Sequence, residues 1–165
     1  KKLLQPLYSS FFIFFLMLTV ALFAQSKKQV KEFKIKSTTI WKADNTDTSP
    51  IKKEYEEFNK NGKTTTYIDY KSDGKTIKLK KTTKYNADGD EIEECEYDAN
   101  GLIKKTITAY KANGDKSSET EYDGKGNIVK KSIYTYDTKG LRLTKQTYNA
   151  ENVLVSGEKY VYEYE

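Results

Sequence analysis

Residues able to do chemistry are few in this chain. No histidine occurs among the 165 residues. That removes the imidazole base on which many serine and cysteine nucleophiles depend, and the commonest zinc ligand. Cys95 is the single cysteine, and it stands in Glu93-Glu94-Cys95-Glu96, where neighbouring carboxylates disfavour the thiolate. It reads as a strand residue rather than a reactive thiol. Paired carboxylates suffice in principle for glycoside hydrolysis, but here they alternate with lysine along solvated segments. Asn86, Asp88, Asp90 and Glu93 surround Gly89 with oxygen atoms of the kind calcium prefers. The glycine follows Asp88 directly and the closing Glu comes too early for an EF-hand, so these residues read as a turn. Trp41, the only tryptophan, offers either a platform for a sugar ring or a plug over the end of the sheet. Tyr134, Tyr160, Tyr162 and Tyr164 join it as a candidate ligand-binding surface. No catalytic, cofactor-binding or metal-ligating residue is assigned, and the expectation is a non-enzyme without a cofactor.

The elements that position these residues follow from a repeat. An aromatic residue is followed four positions later by glycine or its substitute asparagine at Phe58/Gly62, Tyr70/Gly74, Tyr85/Gly89, Tyr97/Gly101, Tyr110/Gly114, Tyr122/Gly126, Tyr136/Gly140 and Tyr148/Asn152. Short polar residues lie between them, as in Asn86-Ala87-Asp88. Asn or Asp opens such a turn and a left-handed residue closes it, which predicts hairpins with a glycine bulge. Successive closing positions are 12, 15, 12, 13, 12, 14 and 12 residues apart. The alternation predicts a two-strand unit of about 26 residues, with odd and even turns at opposite ends of the sheet.

Between turns the segments are rich in Thr, Ile, Val and Tyr, for example Leu102 to Tyr110 and Asn127 to Tyr136, which is strand composition. An earlier pair, Val30 to Lys42 and Ile51 to Phe58, joined by the turn-rich Ala43 to Pro50, brings the number to ten. At ~4.8 Å per strand the sheet spans roughly 45 Å. No helical periodicity survives the turn signals after residue 24. The expected fold class is all-β: an antiparallel β-meander repeat array forming a twisted or curved open sheet, with an incomplete barrel as the alternative.

Aliphatic residues are too sparse to build a thick core. From Gln25 onward there are 20 Ile, Leu and Val residues and 13 tyrosines, so the aromatic columns are the expected spine, with their hydroxyls in water. In Leu102 to Tyr110 neither face is purely apolar, and lysine stems must cover apolar surface. The last candidate strand, Val153 to Tyr164, carries Tyr160, Tyr162 and Tyr164 on one face and is the most apolar edge, open to strand addition.

Lys1 and Lys2 precede Phe11 to Ala24, an apolar run broken only by Thr19, which has the shape of a signal peptide cleaved after Ala24. Leu22 departs from the small residue preferred three positions before the cut, so an uncleaved membrane anchor is the alternative. The domains expected are a signal peptide over 1–24, including its helix, and a β-hairpin repeat domain over 25–165. The start at Lys1 rather than Met leaves room for a clipped chain. The formal net charge of +5 falls to +3 on cleavage, and Lys and Glu interleave, so nucleic acid is not an expected partner.

Tyr97-Asp98-Ala99-Asn100-Gly101-Leu102, Tyr122-Asp123-Gly124-Lys125-Gly126-Asn127 and Tyr136-Asp137-Thr138-Lys139-Gly140-Leu141 resemble the YD repeats of bacterial Rhs proteins. Copies at Tyr70, Tyr85, Tyr110 and Tyr148 replace the Asp, and the region covered is about 54–165. MORN-variant repeats of secreted bacterial proteins are similar and form the rival label. The resemblance implies an exported bacterial protein with a binding or structural role. About eight repeats are too few to form the shell that large YD proteins wrap around a toxin. The function expected is therefore binding of a protein or polysaccharide at the cell envelope, secreted, periplasmic or on the cell surface. The alternatives are self-association through the C-terminal edge strand, or a fragment of a toxin-delivery system.

Overall fold

The computed structural model describes residues 26–43 and 49–165. The expected signal peptide, and part of the link from Ala43 to Pro50, lie outside the described residues. A short helix, α1 (Lys27–Glu32), precedes ten strands: β1 (Ser37–Lys42), β2 (Ile51–Phe58), β3 (Thr64–Tyr70), β4 (Ile77–Tyr85), β5 (Glu91–Asp98), β6 (Gly101–Tyr110), β7 (Lys116–Asp123), β8 (Ile128–Tyr136), β9 (Arg142–Asn149) and β10 (Leu154–Lys159). All are antiparallel, and their order in the sheet is their order in the chain. β1 and β10 form the two edges, so the sheet is open and the barrel alternative is set aside.

The helix corrects the expected strand from Val30 to Lys42. Ser26 and Gln29 form a capping box, with the Ser26 side chain accepting from the Gln29 amide and the Gln29 side chain accepting from the Ser26 amide, and this offsets the cost of starting so short a helix. At its other end Lys34 adopts φ 52, the Ile35 amide donates to the Val30 carbonyl at 2.9 Å and the Lys34 amide donates to the Lys31 carbonyl at 3.3 Å. That is a Schellman closure, which brings Ile35 back toward Val30.

Most hairpin corners repeat one pattern. At the corner after β7, the Gly126 amide donates to the Asp123 carbonyl at 3.1 Å and the Asp123 amide donates to the Asn127 carbonyl at 2.9 Å. All seven repeat glycines and Asn152 have positive φ, from 60 to 125°, the region that excludes most side chains. The Asp or Asn beside the aromatic residue closes the turn: Asp123 Oδ1 accepts from the Lys125 and Asn127 amides, and Asp137 Oδ1 from the Lys139 and Leu141 amides.

The corner at Gly74, a weaker copy of the repeat, keeps the left-handed glycine but departs from this pattern in its closing bond. The Gly74 amide still donates to the Lys71 carbonyl at 2.9 Å, but the Lys71 amide donates to the Thr76 carbonyl at 2.8 Å, so this loop closes one residue later than the loop at Gly126. The cause is local. Lysine after the aromatic residue is not enough, since Lys111 follows Tyr110 at a corner that closes in the common way; what differs here is that Asp73, directly before the glycine, accepts from the Lys75 and Thr76 amides. Gly74 is also half-buried rather than at an open tip. A β-carbon there would lie 2.6 Å from Ile51 Cγ2 and 3.1 Å from the Lys52 amide nitrogen, so close approach to β2 as well as a φ of 64° calls for glycine.

A register shift accompanies each repeat aromatic residue, as between Glu121/Tyr122 and between Thr135/Tyr136. Directly paired residues share a face. The row Lys81–Glu96–Lys104–Asp123 therefore lies on one face and the row Thr82–Cys95–Lys105–Tyr122 on the other. Following these rows, Tyr85, Tyr110 and Tyr136 project from the first face at one end of the sheet. Tyr97, Tyr122 and Tyr148 project from the second face at the opposite end.

Among the described residues the buried apolar set is only Val30, Cys95 and Tyr134. Such a single layer is held by its ladder and by cross-strand pairs. On one face Glu96 lies between Lys81 at 2.7 Å and Lys104 at 3.1 Å. On the other, Glu93 lies between Lys84 at 2.7 Å and Lys105 at 3.0 Å.

Candidate functional site

The structure separates the five candidate ligand-surface residues. Trp41 lies on edge strand β1 and is 59% exposed, at the opposite edge of the sheet from β10. The other four belong to the region of β8 to β10. No single platform can include all five, because nine strand spacings of ~4.8 Å separate the edges.

Tyr134 is only 7% exposed, which corrects its place on an open surface. Its ring lies under the Arg142 guanidinium at 4.8 Å, and Arg142 also lies 5.7 Å from the Tyr160 ring. A planar cation between two π faces is a packing arrangement that lysine cannot reproduce. Arg142 Nε is buried without a hydrogen-bond partner. The neighbouring Tyr160 hydroxyl, then that of Tyr136, favours the charged guanidinium.

The C-terminal residues continue this packing past β10, whose regular pairing ends at Lys159 rather than Tyr164. The Tyr160 amide donates to the Leu143 carbonyl at 3.0 Å and its hydroxyl donates to Glu158 Oε2 at 2.5 Å. Glu158 also meets Lys145 at 3.3 Å. The Tyr160 hydroxyl first, and Lys145 second, hold the Glu158 carboxyl below its ordinary range. Tyr162 is 39% and Tyr164 69% exposed, and Lys139 lies 5.0 Å above the Tyr164 ring.

Lysine over tyrosine recurs along this end of the sheet. Lys63 lies over Tyr85 at 5.2 Å and Lys111 over Tyr136 at 4.8 Å, each lysine reaching from one corner to the aromatic residue two strands on. The phenol hydroxyls also differ from the expected wet ladder. Those of Tyr85, Tyr110 and Tyr162 donate to the carbonyls of Thr64, Glu91 and Arg142, at 2.9, 3.0 and 2.8 Å. Each accepting carbonyl opens the strand before the tyrosine.

The other chemical candidates are absorbed by the fold. Asn86 Oδ1 accepts from the Asp90 amide at 2.7 Å and Asn86 Nδ2 donates to Asp90 Oδ2 at 3.3 Å, so these oxygens serve their own turn. Among the described residues no group of three or more His, Cys, Asp or Glu is arranged to hold a metal. Cys95 is buried as a free thiol. Sequence reasoning missed Arg142, yet it is the only arginine in the chain, and a lone arginine among many lysines is a usable signal for a place that needs a flat fork.

No family model matches the chain, and no curated protein matches it. Among solved structures it is similar to TarM, at 16% identity and a TM-score of 0.30, over 90% of this chain and 26% of that one. It is similar also to a TarM mutant from S. aureus in complex with Fondaparinux, alpha-GlcNAc-glycerol and UDP, at 16% identity and a TM-score of 0.30, over 90% of this chain and 27% of that one. The chain thus spans about a quarter of the length of the solved structures it matches. A likeness at this TM-score extends neither to fold nor to activity.

Proposed function

We propose that this chain is an exported, non-enzymatic repeat protein that presents its sheet to a protein or polysaccharide of the bacterial cell envelope. The observation that carries the reading is the single-layer sheet, whose two faces both meet solvent and both carry ordered rows of lysine, glutamate and tyrosine. Amphipathic aromatic rings next to fixed charges suit polar, extended ligands. Trp41, Tyr162 and Tyr164 remain its exposed aromatic contacts.

A second reading, self-association through β10, is favoured by one feature. Every residue of that edge strand is exposed, and Val153, Leu154 and Val155 are 57, 50 and 58% exposed, an unprotected template for another strand. One comparison separates the two. Pull-down from envelope extracts and a glycan array, run on the wild type, Trp41→Ala and Tyr164→Ala, are expected to show a ligand signal that falls at least fivefold in one variant. Signals that are absent, or equal in all three, overturn the binding reading. A size-exclusion profile that shifts with concentration in the same samples supports edge assembly.

A further inference from the structure

At the β1 edge, where α1 folds against the sheet, lies a cavity of about 810 Å³, within the ~300 to 1,000 Å³ usual for small-molecule sites. Val30, Ile35, Tyr55 and Phe58 line its apolar part. Val30 is 2% exposed, so the floor is firm. Its polar rim is strongly one-signed. Lys31, Lys34, Lys36 and Lys60 border the opening, and all four are exposed. The one acid in the lining is Glu57, and its carboxylate already accepts the Tyr55 hydroxyl at 2.9 Å.

An apolar trough under several unopposed ammonium groups complements a molecule that is greasy along its length and negative at its head. Lys34 adds a local point. It holds φ 52, where glycine closes most such helix ends. A lysine kept in that strained conformation sets an ammonium group at the rim.

From the lining and the charge imbalance we infer that this groove binds a monomeric single-chain carboxylate amphiphile of the long-chain fatty acid type. The chain lies along Ile35, Tyr55 and Phe58, above the buried Val30, and the carboxylate faces the rim lysines. The inference is independent of what the sheet presents, so a failed glycan or partner screen leaves it standing.

The test is titration of the full chain with palmitate below its micellar concentration, followed by displacement of a dansylated fatty acid. Uncharged palmitate methyl ester serves as the control ligand. The expected result is saturation at one fatty acid per chain, with affinity at least tenfold weaker for the ester. The variant Lys34→Glu/Lys36→Glu changes only exposed side chains, and circular dichroism checks that its sheet is intact. It is expected to bind palmitate at least tenfold more weakly. Absence of saturable binding, equal affinity for acid and ester, or equal affinity in the charge-reversed variant each overturns the inference. So does binding confined to phosphatidylglycerol vesicles with no uptake of monomeric palmitate, which would assign the lysines to a membrane surface.

Discussion

The two ends of the sheet are anchored by different physics. At the β1 end the short helix folds back over the first repeat corner and buries its own apolar side chain, Val30. At the β10 end a cation, Arg142, is stacked between two phenol rings, and the last residues wrap round it. The repeat unit recurs between them, so the contrast isolates what a terminal unit needs when it lacks one neighbour. One end is anchored by hydrophobic burial and the other by cation–π stacking and tyrosine hydrogen bonds, while both backbone edges stay unpaired.

The corners sharpen the contrast. A methyl group added at Gly62 would lie 2.5 Å from the Lys27 carbonyl oxygen, whereas at Gly114 nothing comes within 4 Å, although φ is 72° at the first and 88° at the second. Gly62→Ala therefore combines a left-handed strain of about 1 to 2 kcal/mol with overpacking of about 1 to 3. Gly114→Ala carries the strain alone, about 1 to 2 kcal/mol. Urea unfolding of the two variants is expected to show the larger loss at Gly62, and equal losses would mean that α1 does not press on that corner.

At the other end Arg142→Lys keeps the charge and loses the flat fork. A loss of about 1 to 2 kcal/mol is expected from the weakened stacking, read as faster amide exchange in β9 and β10 with β2 and β3 unchanged. Uniform exchange across all strands would dissolve the distinction between the two ends.

The smallest expected effect is acid sensitivity of the corners and charge rows between them. Asp73 is held down to about 2, first by the Thr76 hydroxyl and then by the Lys75 and Thr76 amides, and the Asp123 carboxyl is lowered by the Asn127 side chain and amide. Glu96 is lowered chiefly by Lys81 and Glu93 chiefly by Lys84. A depressed folded pKa gives stability that is full above the unfolded value and lost as pH falls toward the folded one. Tm is therefore expected to fall between about pH 4 and pH 2. Glu91, raised first by burial and then by Glu94, opposes this slightly by relaxing on protonation. An Asp73→Asn protein is expected to show a shallower fall, and an unchanged slope would remove this corner from the acid response.

Much of the architecture was legible because one residue pattern has one local solution. A glycine or asparagine four positions after an aromatic residue, with short polar residues between, needs a left-handed corner, and all eight closing residues adopt positive φ. Ten strands followed, whereas the choice between an open sheet and an incomplete barrel did not. The longer loop at Gly74 had a trace in the sequence, since Asp73 directly precedes the glycine and the next interval is the longest at 15 residues. Its packing against Ile51 had none, because that contact depends on where β2 begins. The helix was missed because its signal is a capping box, Ser26 to Gln29, followed by a single buried residue, too short for periodicity to register. The fate of the phenol hydroxyls was also hidden, since which carbonyl lies under Tyr85 or Tyr110 depends on register between strands. Tyr134 and Tyr164 are alike in sequence. Tyr134 lies on an interior strand with Arg142 and Lys116 over its ring, while Tyr164 lies beyond the last strand.

The strictly consecutive strand order has a further consequence for how such a chain can change in length. Aromatic residues on successive strands project to opposite faces and opposite ends, so insertion of one strand would turn every later side chain to the wrong side. Insertion or loss of a hairpin pair restores both. Growth and shrinkage of this sheet are therefore quantised in pairs, and a duplicated pair meets neighbours that already fit it.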